Sequence, residues 1–244
     1  MRAVILAGGR GTRLAPYTTV LPKPLVPVGE RPILELILHQ LSKAGFDRVD
    51  LCVGHLGELI RAYLADSGTV PAGMKLNYHV EDTPLGTAGA IRNLEEPTGS
   101  LLVMNGDILT TLPYADLIAF HEEQGAALTI ASHRAEVRVD LGVIEGDDAA
   151  VTGYVEKPAL EYEVSMGVYA YSPTAVAHIP AGRFDLPDLV LALIAAGERV
   201  CKFGFSGPWY DIGTAGELSN ATAAFTERPA IFDPGYRVNP DSDG

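Results

Sequence analysis

Two kinds of apolar spacing alternate along the first half of the chain. Residues 3–7 form an unbroken apolar run containing Val4 and Ile5 and closed by Gly8-Gly9. That is the pattern of a strand buried on both faces, as in a parallel sheet. Similar, mainly apolar runs recur over 49–53, 76–80, 101–104 and 128–131. Between these runs the spacing becomes helical. Pro32 suits a first helical turn, Ile33, Leu34, Leu36, Ile37, Leu41 and Ala44 make one stripe, and Gly45 stops it. Further helices are predicted over 56–64, 86–94 and 114–124. Strand, helix, strand, helix predicts an α/β layered fold with crossover connections. The second half changes texture. Predicted strands over 142–145, 151–155, 164–171 and 200–205 are joined by short turns and interleaved with helices over 186–196 and 214–226. They predict an inserted β-rich part that covers one end of the sheet.

Composition narrows the class. The chain has 244 residues, 47% of them apolar, so it can fill a core and is too apolar for intrinsic disorder. A net charge of −13 argues against nucleic-acid or anionic-membrane partners, because clustered positive charge supplies most of that affinity. A phosphate-bearing ligand must then be held by a few local cations, backbone amides or a bound metal. Cys52 and Cys201 cannot build a disulfide framework and suit a reducing cytoplasm, which is the expected location. The short run after Arg2 is not a signal peptide, and no apolar stretch reaches spanning length. From Glu227 to the end, prolines, glycines and aspartates predict a loose tail.

The strongest local signal is Leu6-Ala7-Gly8-Gly9-Arg10-Gly11-Thr12-Arg13-Leu14. A glycine-rich loop directly after a buried strand lets backbone N–H groups approach an anion closely, and its two arginines add fixed positive charge. It is not a dinucleotide loop, which would need glycine where Leu14 stands, nor a Walker loop, which would end in Gly-Lys-Ser/Thr. Downstream, Pro22-Lys23-Pro24 fixes φ on both sides of a lysine, so its ammonium sits on a stiff platform suited to a phosphate. Asp107 follows the strand over 101–104 and lies at the carboxyl edge of the sheet, where ligands bind in open α/β folds.

The glycine loop followed by Pro22-Lys23-Pro24-Leu25-Val26-Pro27-Val28 resembles the signature of the sugar-1-phosphate nucleotidylyltransferases (nucleotide-sugar pyrophosphorylases), in particular their mannose-1-phosphate and heptose-1-phosphate guanylyltransferase branch. Pro84-Leu85-Gly86-Thr87-Ala88-Gly89-Ala90, Asn105-Gly106-Asp107, Glu156-Lys157-Pro158 and Trp209-Tyr210-Asp211-Ile212-Gly213-Thr214 carry the resemblance on through residue 226. It implies the nucleotide-diphospho-sugar transferase fold. That fold is a Rossmann-like, mixed but mainly parallel sheet with helices on both faces and an inserted β-rich sugar-binding part. Mapped onto this chain, it implies one domain over 1–226, with a nucleotide-binding part to about 133, a sugar-binding part over about 134–212 and a closing helix over 214–226; the tail is 227–244.

The resemblance also implies roles. Leu6, Gly8, Gly9, Gly11, Thr12, Arg13, Lys23, Glu81, Pro84, Gly86, Thr87 and Asp107 would bind the nucleotide. Gly142, Glu156, Lys157, Ser165 and Asp211 would bind the sugar phosphate, and Asp107 and Asp211 would hold Mg²⁺. Arg13, Lys23, Asp107 and Lys157 would be catalytic. The implied partners are a nucleoside triphosphate and a sugar 1-phosphate, with a homodimer as the assembly allowed for. In the family, the residue five before the glycine of the Pro-x-Gly turn faces the base, and here it is Glu81. A carboxylate offers only acceptors, whereas guanine presents two adjacent donors, so GTP is favoured. UTP, dTTP or CTP in the same reaction, and a non-catalytic nucleotide-sugar sensor, stay open as alternatives. One departure concerns the sugar: Ser165-Met166-Gly167 stands where many relatives show Asn-Ala-Gly.

Overall fold

The computed structural model describes residues 1–66, 68–81 and 83–235. In chain order its first elements are β1 (Arg2–Ala7), β2 (Pro27–Val28), β3 (Arg31–Pro32), α1 (Ile33–Lys43), β4 (Arg48–Val53), α2 (Gly57–Leu64) and β5 (Lys75–Val80). Next come α3 (Gly86–Arg92), β6 (Leu101–Asn105), β7 (Ile108–Thr110), α4 (Tyr114–Glu123) and β8 (Leu128–Arg138). The remainder is β9 (Val143–Asp147), β10 (Ala150–Val155), β11 (Ala159–Tyr171), α5 (Pro173–Ala177), α6 (Leu186–Ala195), β12 (Val200–Gly204), β13 (Trp209–Asp211), α7 (Ala215–Glu227) and α8 (Pro229–Phe232).

Seven strands form the central sheet in the order β12-β8-β11-β6-β1-β4-β5. All neighbours are parallel except β11, which runs antiparallel to both β6 and β8. The unbroken apolar runs are explained by two cores, one on each face. Ile5, Leu51 and Met104 pack under α1, α2, α4 and α7, whereas Val4, Cys52 and Val103 pack under α3, α5 and α6. A strand covered on both sides has no polar face to alternate with. Cys52 is 1% exposed and serves as core. Asp50 is the buried exception. Burial alone would raise its pKa, but hydrogen bonds from Arg2 Nε (2.7 Å) and His79 Nε2 (2.8 Å) outweigh it and hold the carboxyl below its ordinary value. No helix among the described residues is long and apolar enough to cross a membrane.

The second half departs from expectation in two places. β8 and β11 run well past the sheet as a two-stranded ribbon in which Arg138 pairs with Ala159, and β9 and β10 form a hairpin at its end. The expected strands over 128–131 and 164–171 stop short because apolar and charged residues alternate beyond the core, for example Arg134, Glu136 and Arg138. A run-based reading sees no continuous strand there. The loose tail predicted from Glu227 is also corrected up to Gly235. Thr214 caps α7, α8 follows, and Phe232 is fully buried against the α1 side of the sheet. Asp233 meets Arg31 at 3.3 Å, and Gln40 Nε2 donates to the Phe232 carbonyl at 2.7 Å. One phenylalanine and one ion pair outweigh the Pro/Gly composition of that stretch. The rest of the tail, 236–244, lies outside the described residues.

Candidate active site

Parallel strands place their carboxyl ends on one edge, and three of those ends, after β1, β5 and β6, line a cleft, with the end of β4 backing Gly8. After β1 comes Gly8-Gly9, after β4 Gly54, after β5 Glu81, and after β6 Gly106-Asp107. The cleft has a volume of about 290 Å³ and is lined by Leu6, Gly8, Gly9, Lys23, Glu81, Pro84, Gly86, Thr87 and Asp107, together with Ala7, Pro24, Asn105 and Gly106. Nine of the residues expected to bind a nucleotide therefore converge on one space. Gly11, Thr12 and Arg13 are not among its walls. They lie in the turn that follows, where Gly11 adopts φ +60° and a Cβ on it would stand 2.9 Å from Thr18 Cγ2 and 3.2 Å from Lys23 Cβ. Any other residue at position 11 is strained twice over, by backbone and by contact.

Glu81 enters the cleft from the end of β5. Its Oε2 accepts the Leu85 N–H at 3.0 Å, and its Oε1 faces Gly8 closely enough that a Cβ there would lie 3.1 Å away. The carboxylate is thus held in one orientation by the turn before α3. Thr87 is already in use: its Oγ1 accepts the Leu186 N–H at 2.8 Å at the start of α6, and its own N–H donates to Asp185 Oδ1 at 3.1 Å.

Lys23 sits in a short 3₁₀ turn, Lys23–Leu25, entered through extended Pro22. Its ammonium pairs with Asp107 Oδ2, and both side chains are largely buried. Asp107 Oδ1 is buried and has no hydrogen-bond partner. Asp211, far away in the chain, arrives beside it because β13 pairs antiparallel with β7, with Asp211 opposite Ile108 and the Ile212 N–H donating to the Asp107 carbonyl at 3.1 Å. Partial desolvation, followed by the negative charge of Asp107, pushes the Asp211 pKa above the ordinary carboxylate value; Lys23 and Arg13 oppose that shift. Two carboxylates share one corner, one with an orphaned oxygen and the other resisting ionisation. Both features fit a divalent cation held by hard oxygen donors, with other positions left to ligand oxygens. Among the described residues no group of three or more His, Cys, Asp or Glu gathers as a closed metal site.

Arg13 lies near the same corner, where its charge opposes the raised pKa of Asp211. Its guanidinium lies against Gly213, 3.3 Å from where a Cβ would be, and the Glu217 carboxylate stands beside it. Glu217 accepts the Gly213 N–H at 3.0 Å while its own N–H donates to Thr214 Oγ1 at 3.3 Å. The sequence reading missed Glu217, although Thr214-x-x-Glu217 has the spacing of a capping box. It also missed Tyr169. Burial, then the charges of Asp211 and Asp107, raise the pKa of that phenol, and Ser165 Oγ donates to its oxygen at 2.9 Å. Ser165 is therefore linked to the aspartate corner through Tyr169.

The remaining expected sugar-phosphate residues are not brought to the cleft. Glu156 and Lys157 occupy the exposed turn after β10, where Tyr154 Oη donates to Glu156 Oε2 at 3.2 Å and Lys157 adopts φ +46°. The Tyr154 hydroxyl fills the place a Cβ would take on Gly142, which gives that glycine a packing reason. Trp209 packs: its Nε1 donates to the Met166 carbonyl at 3.0 Å and its ring lies 5.3 Å from that of His133.

Residues 2–228 match the sequence profile of the family described as Nucleotidyl transferase. The chain belongs to that family. A nucleotidyl transferase relative from Dictyostelium discoideum, named mannose-1-phosphate guanylyltransferase catalytic subunit beta, is 33% identical over 87% of this chain and 61% of its own length. Another from Synechocystis sp., named UTP–glucose-1-phosphate uridylyltransferase, is 31% identical over 98% of this chain and 68% of its own. This chain thus spans about three fifths to two thirds of the length of these curated relatives. Among solved structures, HddC from Yersinia pseudotuberculosis superposes with a TM-score of 0.72 at 28% identity, covering 92% of this chain and 99% of that one. A second HddC structure is described as complexed with GMP-PN. The nucleotidyl transferase fold of these neighbours is the mixed, mainly parallel α/β sheet found here.

Proposed function

We propose that this nucleotidyl transferase joins a nucleoside triphosphate to a sugar 1-phosphate and releases pyrophosphate, with GTP as its nucleotide. The observation that carries the reading is the convergence of the glycine loop, Lys23, Asp107 and Asp211 at the carboxyl edge of the sheet. In the reaction, an oxygen of the sugar phosphate attacks the α-phosphorus, and the bond from that phosphorus to the bridging oxygen of the leaving pyrophosphate breaks. The attacking phosphate is largely dianionic near neutral pH, its second pKa being about 6, so no general base is required. What the protein must supply is position and positive charge.

The Gly8-Gly9 backbone and the turn at Gly11 to Arg13 would hold the outer phosphates, with Arg13 facing the aspartate corner where charge accumulates. Lys23 would face the α-phosphate and share its proton donors between that phosphate and Asp107. Mg²⁺ on Asp107 and Asp211 would neutralise nucleotide oxygens. Glu81 would accept from the N1–H and amino group of guanine, its orientation set by Leu85. Glu156 and Lys157 would join the sugar phosphate through approach of the β-rich lobe. The guanylyl reading is supported by an acceptor-only side chain at the base position and by the guanylyltransferase relative; the uridylyltransferase relative supports only the shared reaction. The sugar type is a hexose or heptose.

The test is a matrix of pyrophosphate-release assays, several triphosphates against a panel of sugar 1-phosphates with Mg²⁺. GTP is expected to give the highest kcat/KM. Release with UTP or dTTP but not GTP would overturn the base assignment. Release with no pair at all, despite nucleotide binding, would overturn the transferase reading.

A further inference from the structure

The wall of the cleft that carries Pro84, Gly86 and Thr87 is held from behind by the segment that enters α6. Phe184 donates its N–H to the Leu85 carbonyl at 2.8 Å, and its own carbonyl accepts the Ala88 and Gly89 N–H groups at 3.0 and 2.9 Å. Asp185 stands at the N-cap of α6 but makes no side-chain cap bond to that helix. Its Oδ1 accepts the Thr87 N–H instead, at 3.1 Å, while Thr87 Oγ1 accepts the Leu186 N–H at 2.8 Å. Each helix therefore caps the first turn of the other. The approach is close: a Cβ on Gly86 would stand 2.6 Å from Asp185 Oδ1, and one on Gly89 would stand 2.6 Å from the Gly182 carbonyl oxygen. The first-turn donors on Thr87, Ala88 and Gly89 are thus already satisfied within the chain.

We infer that Asp185 is a positioning residue for nucleotide binding, acting through Thr87 to keep this wall ordered before the nucleotide arrives; the inference rests on the nucleotide reading of the cleft. The stretch that Asp185 ties down serves the cleft directly. Pro84, Gly86 and Thr87 line it, and the Leu85 N–H fixes the Glu81 carboxylate. Asp185 is not among the lining residues, so any effect it has on a ligand passes through the wall. Its side chain is 39% exposed and its second oxygen meets Arg183 Nη2 at 3.5 Å, so the carboxylate is not part of the core. Phe184 holds the wall through backbone groups, whereas Asp185 holds it through a side chain that substitution can remove. A wall already in place binds with its full intrinsic affinity. One that is ordered for only a fraction of the time weakens apparent binding by that fraction. Saturating nucleotide restores the order, so the loss falls on affinity and not on the chemical step at Lys23, Asp107 and Asp211.

Titration calorimetry of the 244-residue chain with GTP and with UTP, alongside pyrophosphate-release kinetics, tests this role. Asp185→Ala should raise the Kd of the triphosphate that binds by about three- to thirtyfold, the range spanned by loss of a capping side chain, without lowering kcat at saturation by more than about twofold. Asp185→Asn keeps an oxygen for the Thr87 N–H and should stay within about twofold of the parent Kd. Arg183→Ala removes the partner of the other oxygen and should do the same. Equal Kd in the parent and in Asp185→Ala overturns the inference, whether or not the melting temperature falls, and so does a loss confined to kcat. Should Asp185→Ala fail to fold, hydrogen exchange of the unmodified chain decides. The amides of Thr87, Ala88 and Gly89 should exchange at least about a hundredfold more slowly than an open chain before nucleotide is added, and exchange at the open-chain rate overturns the inference. The base assignment fails separately: binding of UTP in place of GTP refutes it, while the ratio of variant to parent Kd still judges Asp185. A parent chain that binds no triphosphate overturns both, and shows it without any variant.

Discussion

Glu81→Gln gives the sharpest reading of the base pocket, because the surrounding geometry fixes which atom changes. Glu81 Oε2 accepts the Leu85 N–H at 3.0 Å, and that donor requires an oxygen facing it. In the glutamine variant the amide oxygen keeps this place and the NH₂ group takes the position of Oε1, beside Gly8. The group facing the base thus turns from acceptor to donor. Guanine would then present its N–H donors to another donor. The loss combines a charge-assisted hydrogen bond, worth about 1.5–3 kcal/mol, with an unpaired buried donor at about 1–3 kcal/mol. Allowing for overlap between the two, roughly 2–4 kcal/mol corresponds to a fall of about 30- to 1000-fold in kcat/KM for GTP. Uracil and thymine show a carbonyl beside an N–H, so UTP and dTTP should lose little or gain. The assay is pyrophosphate release with each triphosphate at a fixed sugar 1-phosphate. An unchanged ratio of GTP to UTP would refute the idea that Glu81 reads the base.

Three further predictions address the charges and the packing. Lys23→Ala should lower kcat by about 10²- to 10³-fold while shifting the KM for sugar phosphate little, as expected when a charge acts mainly on the transition state; steady-state kinetics checks it, and an effect confined to KM would contradict it. Asp211 has a raised pKa in the folded chain, so the fold binds its proton more tightly than the unfolded chain does and stability from this group declines as pH rises through that window. Asp211→Asn should therefore melt at a higher temperature than the parent at neutral pH, and the difference should close at acid pH where Asp211 is protonated; a melting temperature below the parent's at neutral pH would contradict the like-charge account. Phe232→Ala removes a fully buried ring and should cost about 3–5 kcal/mol, measured as a lower urea midpoint; a change under 1 kcal/mol would show that α8 is not part of the core.

Legibility followed burial. β1, β4, β6 and α1 were readable because a mainly apolar run marks each strand and an apolar stripe marks the helix, and their observed bounds differ from the expected ones by a residue or so. The long ribbon was not, since half its positions face water and its apolar residues occur singly. α8 was missed because its anchoring depends on contacts with α1, which no local pattern carries. At the site, the cleft residues came from motifs that lie at strand ends. The resemblance paired Asp107 with Asp211, and the β7–β13 pairing now supplies the reason. Tyr169 and Glu217 stayed hidden for different reasons: a tyrosine in an apolar strand reads as core, and a capping glutamate reads as a helix start. The ion pair between Lys23 and Asp107 was likewise invisible, since each had been assigned outward to a ligand.

The central claim is that Asp107 and Asp211 together seat a divalent cation next to the glycine-loop cleft. The most direct measurement is the Mn²⁺ affinity of the folded chain in the presence of GTP, followed by electron paramagnetic resonance of free Mn²⁺. Asp107→Asn and Asp211→Asn should each weaken binding at least about tenfold, with Glu217→Gln as the neighbouring carboxylate control that leaves it within about twofold. Equal Mn²⁺ affinity in the parent chain and in both aspartate variants would contradict the account.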